Sequence, residues 1–229
     1  MQNLLLKKAR GLEVACRPGT TDESAFKRCV EQRCWFKVNS GFIPQPGERW
    51  LELGANIGAF TVMACAQGAH VTAYEPMPDN AAIWQENVNR NGFSGKAALV
   101  NAAVTWDGIA VPFHIPASER NHYRCSIFGK KDWKEVRVNF ARFDGIDLSK
   151  FDGIKMDMEG AEIEILERVA TWGKVRKLAF AYHFCNEPKV ARYDAICERL
   201  RATFSVKCPK VNGPIFNGFP DDRHVFCMR

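Results

Sequence analysis

The stretch Trp50-Leu51-Glu52-Leu53-Gly54-Ala55-Asn56-Ile57-Gly58-Ala59-Phe60 decides the fold. A short apolar run leads directly into Gly54-x-Asn56-x-Gly58, and a helical run starts at once. Glycines at such a turn let the backbone bend tightly and approach a ligand closely. The start of the helix leaves unpaired N–H groups beside the turn. A second run, Val71-Thr72-Ala73-Tyr74-Glu75-Pro76, ends in an acid 21 residues beyond Gly54. An acid at about that distance accepts hydrogen bonds from two ribose hydroxyls.

The glycine pattern then selects among nucleoside cofactors. It is not the dinucleotide G-x-G-x-x-G spacing, and no Lys-Ser/Thr pair follows as in a P-loop. S-adenosylmethionine (SAM) has no phosphate to cradle. It has a cationic sulfonium and an amino-acid end, which suit an acid such as Glu52 beside the loop. The sequence therefore predicts SAM with its ribose on Glu75 and its amino-acid end near Glu52, Gly54 and Asn56, with Gly58 also among the cofactor-binding residues. Its adenine is expected near Pro76, Asn101, Ala102 and Ala103. A glycine-rich turn in an unrelated α/β protein would share the loop, but not the loop, the acid and the strand order together.

Outward from this stretch the chain alternates strands and helices. Strands are expected over 50–53, 69–74, 97–101, 154–156 and 177–182, and helices over 57–66, 79–91, 161–169 and 189–202. This alternation implies βαβ units and a mainly parallel sheet, a Rossmann-like α/β fold. Two further β-like runs, 204–207 and 224–228, predict an antiparallel C-terminal pair that closes the sheet. The pattern lapses between 105 and 150, where short strands over 110–115 and 135–140 flank a polar loop. Thr20 and Glu23 have capping-box spacing ahead of Phe26, Cys29, Val30 and Cys34, which predicts a helix over 20–34. Residues 1–47 are expected to form a helical N-terminal extension packed on a SAM-binding domain of residues 48–229.

Composition narrows the class. The 229 residues are 46% hydrophobic and 25% charged, with a formal net charge of +6. Such a chain buries a substantial core without staples, and shows no signature of disorder, collagen or coiled coil. The nine cysteines are odd in number and include no C-x-x-C pair, so free thiols in a reducing compartment are expected. The apolar run at the N-terminus is short for a signal peptide, and no stretch has the length of a membrane span. A cytoplasmic location is therefore expected. No dense basic block supports a nucleic-acid partner.

Three stretches carry a resemblance to the FkbM-like family of SAM-dependent methyltransferases. They are Leu53-Gly-Ala-Asn-Ile-Gly58, Tyr74-Glu-Pro-Met-Pro78 with Asn87 and Asn91 following, and Ile154-Lys-Met-Asp-Met-Glu-Gly-Ala-Glu162. Arg17-Pro-Gly-Thr-Thr-Asp22 is similar to a stretch often found upstream in that family. The resemblance implies methyl transfer to a hydroxyl oxygen, with sugars such as 6-deoxyhexoses of glycans, or polyketide natural products, as acceptors. It departs in the loop 116–134 and in the C-terminal third.

Displacement at a sulfonium methyl is mainly a problem of alignment. A hydroxyl acceptor also needs a base or a metal near its proton. Asp157 stands at a strand end, where open α/β sheets bind ligands, with Glu159 two residues on and His183 at the next strand end. Lys155 alternates onto the same face as Asp157. These four are the catalytic candidates, and Asp157, Glu159 and His183 also compose a candidate Mg or Mn set. Plainer readings exist for each: Lys155 as ion-pair partner of Asp157, Glu159 and Glu162 as helix-start acids, His183 as a satisfied histidine. In the polar loop, Tyr123, Arg124 and Trp133 are candidate acceptor contacts, the aromatics by stacking on a sugar ring. The leading expectation is a carbohydrate O-methyltransferase. The alternatives are an RNA ribose 2′-O-methyltransferase and a catalytically silent SAM-fold subunit.

Overall fold

The computed structural model describes residues 3–36, 41–117, 125–127, 132–181, 183, 187–207 and 224–229. Among these, thirteen strands and five α-helices are assigned. The central sheet holds β3 (Arg49–Leu53), β4 (His70–Tyr74), β5 (Ala97–Val100), β10 (Gly153–Met156), β11 (Lys177–Ala181), β12 (Ser205–Lys207) and β13 (His224–Met228). Their order across the sheet is β12-β13-β11-β10-β3-β4-β5. The five strands from β11 to β5 run parallel, and β13 and β12 close the β11 edge antiparallel. The predicted parallel sheet with an antiparallel C-terminal pair is the observed one.

Helices cover both faces, so the parallel strands are apolar on both sides. Along β3, Trp50 enters the core on one face, while Leu51 and Leu53 enter the other. The Trp50 face packs on α2 (Ala59–Ala66) and α3 (Pro78–Arg90), the other on α4 (Glu162–Arg168) and α5 (Glu187–Leu200). The order of strand addition reverses at β3: β4 and β5 lie on one side, β10 and β11 on the other. That switch point is where open α/β sheets open a crevice beyond their C-terminal strand ends.

The N-terminal region differs from the expected helical extension. It opens with an antiparallel hairpin, β1 (Leu5–Ala9) and β2 (Leu12–Cys16), turned at Arg10-Gly11. Both turn residues have positive φ (55° and 75°), the conformation that matches the twist of a two-residue hairpin. A single helical turn then follows as α1 (Asp22–Phe26) and continues into a π-helical turn over Lys27–Glu31. The capping-box reading fails in detail, because Glu23 turns back to the Gly19 N–H and Lys7.

Two asparagines of α3 and a third at its C-cap stitch β2 and Arg17 down. Asn91 exchanges hydrogen bonds with the backbone of Glu13, and Asn87 with that of Ala15. Asn80 takes the side chain of Arg17. Every second residue from 13 to 17 is thus held by α3 or its C-cap.

Between β5 and β10 the chain adds β6 (Ala103–Thr105), β7 (Phe113–Pro116), β8 (Trp133–Val136) and β9 (Phe140–Arg142). β7 pairs with β8, while β6 pairs in parallel with β9. The single run expected over 135–140 is therefore split between two partners. Seven of the cysteines are described, and none of these is joined in a disulfide. Among the described residues no helix is long and apolar enough to cross a membrane.

Candidate active site

The strand ends at the switch point surround a cavity of about 520 Å³. This lies within the usual span of small-molecule sites, roughly 300–1,000 Å³. Two backbone turns make the space. Gly54 has φ +79°, and a Cβ there would meet the carbonyl oxygen of Asp157 at 2.1 Å. The turn after β3 thus runs flush against the end of β10, tied by the Asp157 N–H to the Leu53 carbonyl at 3.0 Å. Asn56 follows with φ 52°, a left-handed conformation that asparagine tolerates better than most residues.

Glu75, at the end of β4, is 5% exposed and reaches the cavity. Its Oε2 accepts the Asn56 N–H at 2.7 Å, and its Oε1 accepts the Met77 N–H and the Asn80 amide, each at 3.0 Å. A carboxylate has about four acceptor positions, so capacity remains for a ligand hydroxyl. Burial pushes the Glu75 carboxyl up, although its three donors oppose that shift. A further donor from a bound ligand would favour the ionised form. Pro76, Ala102 and Ala103 form the adjoining apolar wall. Asn101 does not line the cavity. Its amide donates to the Glu75 carbonyl at 2.7 Å and the Pro76 carbonyl at 3.1 Å, which shapes that wall from behind.

Gly58 also lies outside the lining. At φ +84°, it caps α2, and a Cβ would press on Trp84 Cδ1 at 2.7 Å. Its lack of a side chain therefore serves the packing of α2 on Trp84. Glu52 reaches the cavity wall but is fully buried. Thr61 Oγ1 donates to its Oε2 at 2.5 Å, and Lys155 Nζ stands 3.5 Å from Oε1. Burial pushes its carboxyl up to about 7, against the pull of Lys155.

Lys155, Asp157, Glu159 and His183 do converge. Lys155 Nζ donates to the Gly54 carbonyl at 2.7 Å and lies 3.7 Å from Asp157 Oδ2, over the ring of Trp35. Burial opposes its charge, but Asp157 and Glu52 raise its pKa overall. His183 Nε2 is 3.1 Å from Asp157 Oδ1 and 3.9 Å from Glu159 Oε1, while its Nδ1 is 3.0 Å from Glu162 Oε1. Burial acts against the imidazolium, yet the Glu159, Glu162 and Asp157 carboxylates lift its pKa well above the ordinary value. Asp157 is the converse case: burial favours its neutral form, but Lys155 and His183 hold its carboxyl well below the usual range.

These surroundings favour an ionised Asp157 and a protonated His183 that orients it. The expected Mg or Mn set is not supported: His183 Nε2 faces Asp157 and Nδ1 faces Glu162. Among the described residues no group of three His, Cys, Asp or Glu side chains is arranged to hold a metal ion.

Two residues escaped the sequence reading. Glu162 is fully buried and accepts from the Tyr193 hydroxyl and the Gly160 N–H, so it fixes the His183 ring. Its helix-start position suggested only a favourable charge. His224 begins β13 opposite Ala181, which brings it to the ligand edge of the sheet from the far end of the chain. It lines the cavity and packs tilted against Trp35 with ring centroids 3.9 Å apart, and burial lowers its pKa to about 3. Of the expected acceptor contacts, Trp133 stands on β8 opposite Pro116, outside the cavity lining. Tyr123 and Arg124 lie outside the described residues.

Comparison with known proteins agrees with this architecture. The Methyltransferase FkbM domain matches residues 52–188. No curated protein matches the chain. Among solved structures, a transferase from Pyrococcus horikoshii is similar at TM-score 0.55 and 16% identity, over 99% of this chain and 71% of that one. TYW2 from P. horikoshii, solved in complex with MeSAdo, has TM-score 0.50 and 14% identity over 99% of this chain and 70% of that chain. Methyltransferase FkbM from Methylobacillus flagellatus KT has TM-score 0.50 and 19% identity, over 85% of this chain and 47% of that one. At these identities the structures establish the fold alone, the Rossmann-like fold of SAM-dependent methyltransferases. With the match spanning more than half the sequence and both signature strand ends facing one cavity, the chain belongs to the FkbM methyltransferase domain family.

Proposed function

We propose that this protein is a SAM-dependent O-methyltransferase acting on a hydroxyl of a carbohydrate or related natural product. The observation that carries the reading is the pairing of two acids across one cavity. Glu75 sits where a ribose would be held, and Asp157 sits at the end of β10, on the other side of β3. The residues fit SAM: the turn at Gly54–Asn56 adjoins Glu75, an apolar wall follows at Pro76 and Ala102–Ala103, and Glu52 stands beside the turn for an ammonium. Bound SAM supplies a methyl group activated by its sulfonium charge.

The chain's own residues then align and receive. Asp157 accepts the hydrogen bond of the acceptor hydroxyl and thereby aims its oxygen. As that oxygen gains the methyl group it becomes an oxonium, which is far more acidic than any carboxylic acid. Asp157 therefore takes the proton despite its lowered pKa. Lys155 and His183 hold the carboxylate in place, and Glu162 holds His183. His224 and Trp35 offer the acceptor a neutral imidazole and an aromatic face.

The test is a panel of methyl glycosides, capped RNA and peptides incubated with methyl-labelled SAM and read by mass spectrometry. A labelled glycoside is the expected result. Label on RNA or peptide alone would replace the acceptor class. Turnover in EDTA should equal that in buffer, since the site residues pair with one another. Loss of activity in EDTA with recovery in Mg or Mn would reverse that assignment.

A further inference from the structure

Arg17 lies upstream of the matched residues 52–188, yet hydrogen bonds through Asn80 connect it to Glu75. Arg17 is 5% exposed and Asp22 fully buried. Their fork is bidentate, Nε to Oδ2 at 2.7 Å and Nη2 to Oδ1 at 2.9 Å. The Arg17 backbone N–H also donates to Oδ2 at 3.0 Å. Nη2 donates onward to Asn80 Oδ1 at 2.6 Å, and Asn80 Nδ2 donates to Glu75 Oε1 at 3.0 Å.

A buried ion pair is weak evidence for stability, because desolvation offsets much of the attraction. What this pair does is directional. A primary amide has a donor end and an acceptor end, and packing alone separates them poorly. The guanidinium bonds only an oxygen, so Arg17 forces the NH₂ end of Asn80 toward Glu75. Reversed, the amide oxygen would face the carboxylate and repel it. Asp22 balances the guanidinium, so the cation does not collapse onto Glu75 itself. The frame is stiff: Asn87, two turns further along α3, holds Ala15 and donates to the Ile57 carbonyl at 2.8 Å in the glycine loop.

We propose that Arg17 is a positioning residue of the cofactor site, acting through the Asn80 amide to orient the carboxylate that Glu75 presents to the ribose. The inference rests on the ribose role of Glu75 given above. It makes the N-terminal segment a working part of the site.

The experiment is calorimetric titration with S-adenosylhomocysteine and with its 2′-deoxyribose analogue. The readout is the ratio of the two dissociation constants. The wild type should favour the intact ribose about tenfold, the worth of one hydrogen bond to a charged group. Arg17→Met should weaken binding of S-adenosylhomocysteine and bring the ratio close to one, with Arg17→Lys intermediate. A purely structural role would weaken both ligands equally, so an unchanged ratio in Arg17→Met overturns the inference and leaves Glu75 standing. If Arg17→Met does not fold, Asn80→Ala breaks the same relay with the ion pair intact. A collapsed ratio there supports the relay, and a wild-type ratio overturns it. A wild-type ratio near one removes the ribose role of Glu75 and the inference with it.

Discussion

Replacing Asp157 by asparagine lowers turnover on the order of 10²–10⁴-fold, the usual cost of losing a positioned proton acceptor. The side chain keeps its shape, and SAM affinity should stay within a few-fold. What is lost is the charge. The carboxylate is the group that Lys155 and His183 flank at 3.7 and 3.1 Å, and it alone among the three is an acceptor. Steady-state kinetics with a saturating acceptor, beside a SAM titration, separates the two quantities. Wild-type turnover in Asp157→Asn would leave alignment by the cavity as the whole of catalysis. The pH profile adds a sign. Burial raises the Asp157 carboxyl, but Lys155 and His183 overcome this and depress it, so its charge is complete at its ordinary value and lost only on further acidification. Protonation of Asp157 therefore leaves no inflection in turnover between about pH 5 and pH 7. His183 has the opposite sign. Its raised pKa makes the stability of its ion pairs complete below the ordinary imidazole range and lost as pH rises through the folded value.

Gly54→Ala should be strongly destabilising. The added Cβ would lie 2.1 Å from a backbone carbonyl oxygen, which no side-chain rotation relieves, and the φ of +79° is itself unfavourable for alanine. Left-handed strain and overpacking together predict a loss of about 2–5 kcal/mol. The clash lies between the ends of β3 and β10, so any relaxation also displaces Asp157 and Lys155. Thermal unfolding with and without SAM checks this. A melting temperature within a degree or two of wild type would show that the two strand ends are not in the contact described.

Much of this was legible in residue order. The turn after β3, the acid ending β4 and the alternation of strands and helices are local signals, and each landed within a few residues of its place. The antiparallel closure was readable from two short β runs at the C-terminus. What escaped was non-local or two-faced. The β1–β2 hairpin carries a modest Arg10-Gly11 turn and a strand of mixed burial, so period alone did not declare it. β6 is three residues long and takes a partner nearly forty positions away. In the site, Asp157 and His183 were found because they end strands. Their charge states were not, because these depend on Lys155 and Glu162 standing on either side. His224 was missed because only the closing strand brings position 224 to the mouth of the sheet. Gly58 has a second reason to be glycine that its motif position does not reveal, the Trp84 ring packed where a side chain would stand.

The central claim is that the cavity at the switch point binds SAM through Glu75. Calorimetric titration of the wild type and Glu75→Gln with SAM, and of the wild type with NAD, tests it most directly. The account predicts saturable binding of SAM, weakened at least tenfold in Glu75→Gln by loss of a charged hydrogen-bond acceptor, and no measurable binding of NAD. Tight binding of NAD without SAM, or SAM affinity indifferent to Glu75, would contradict it.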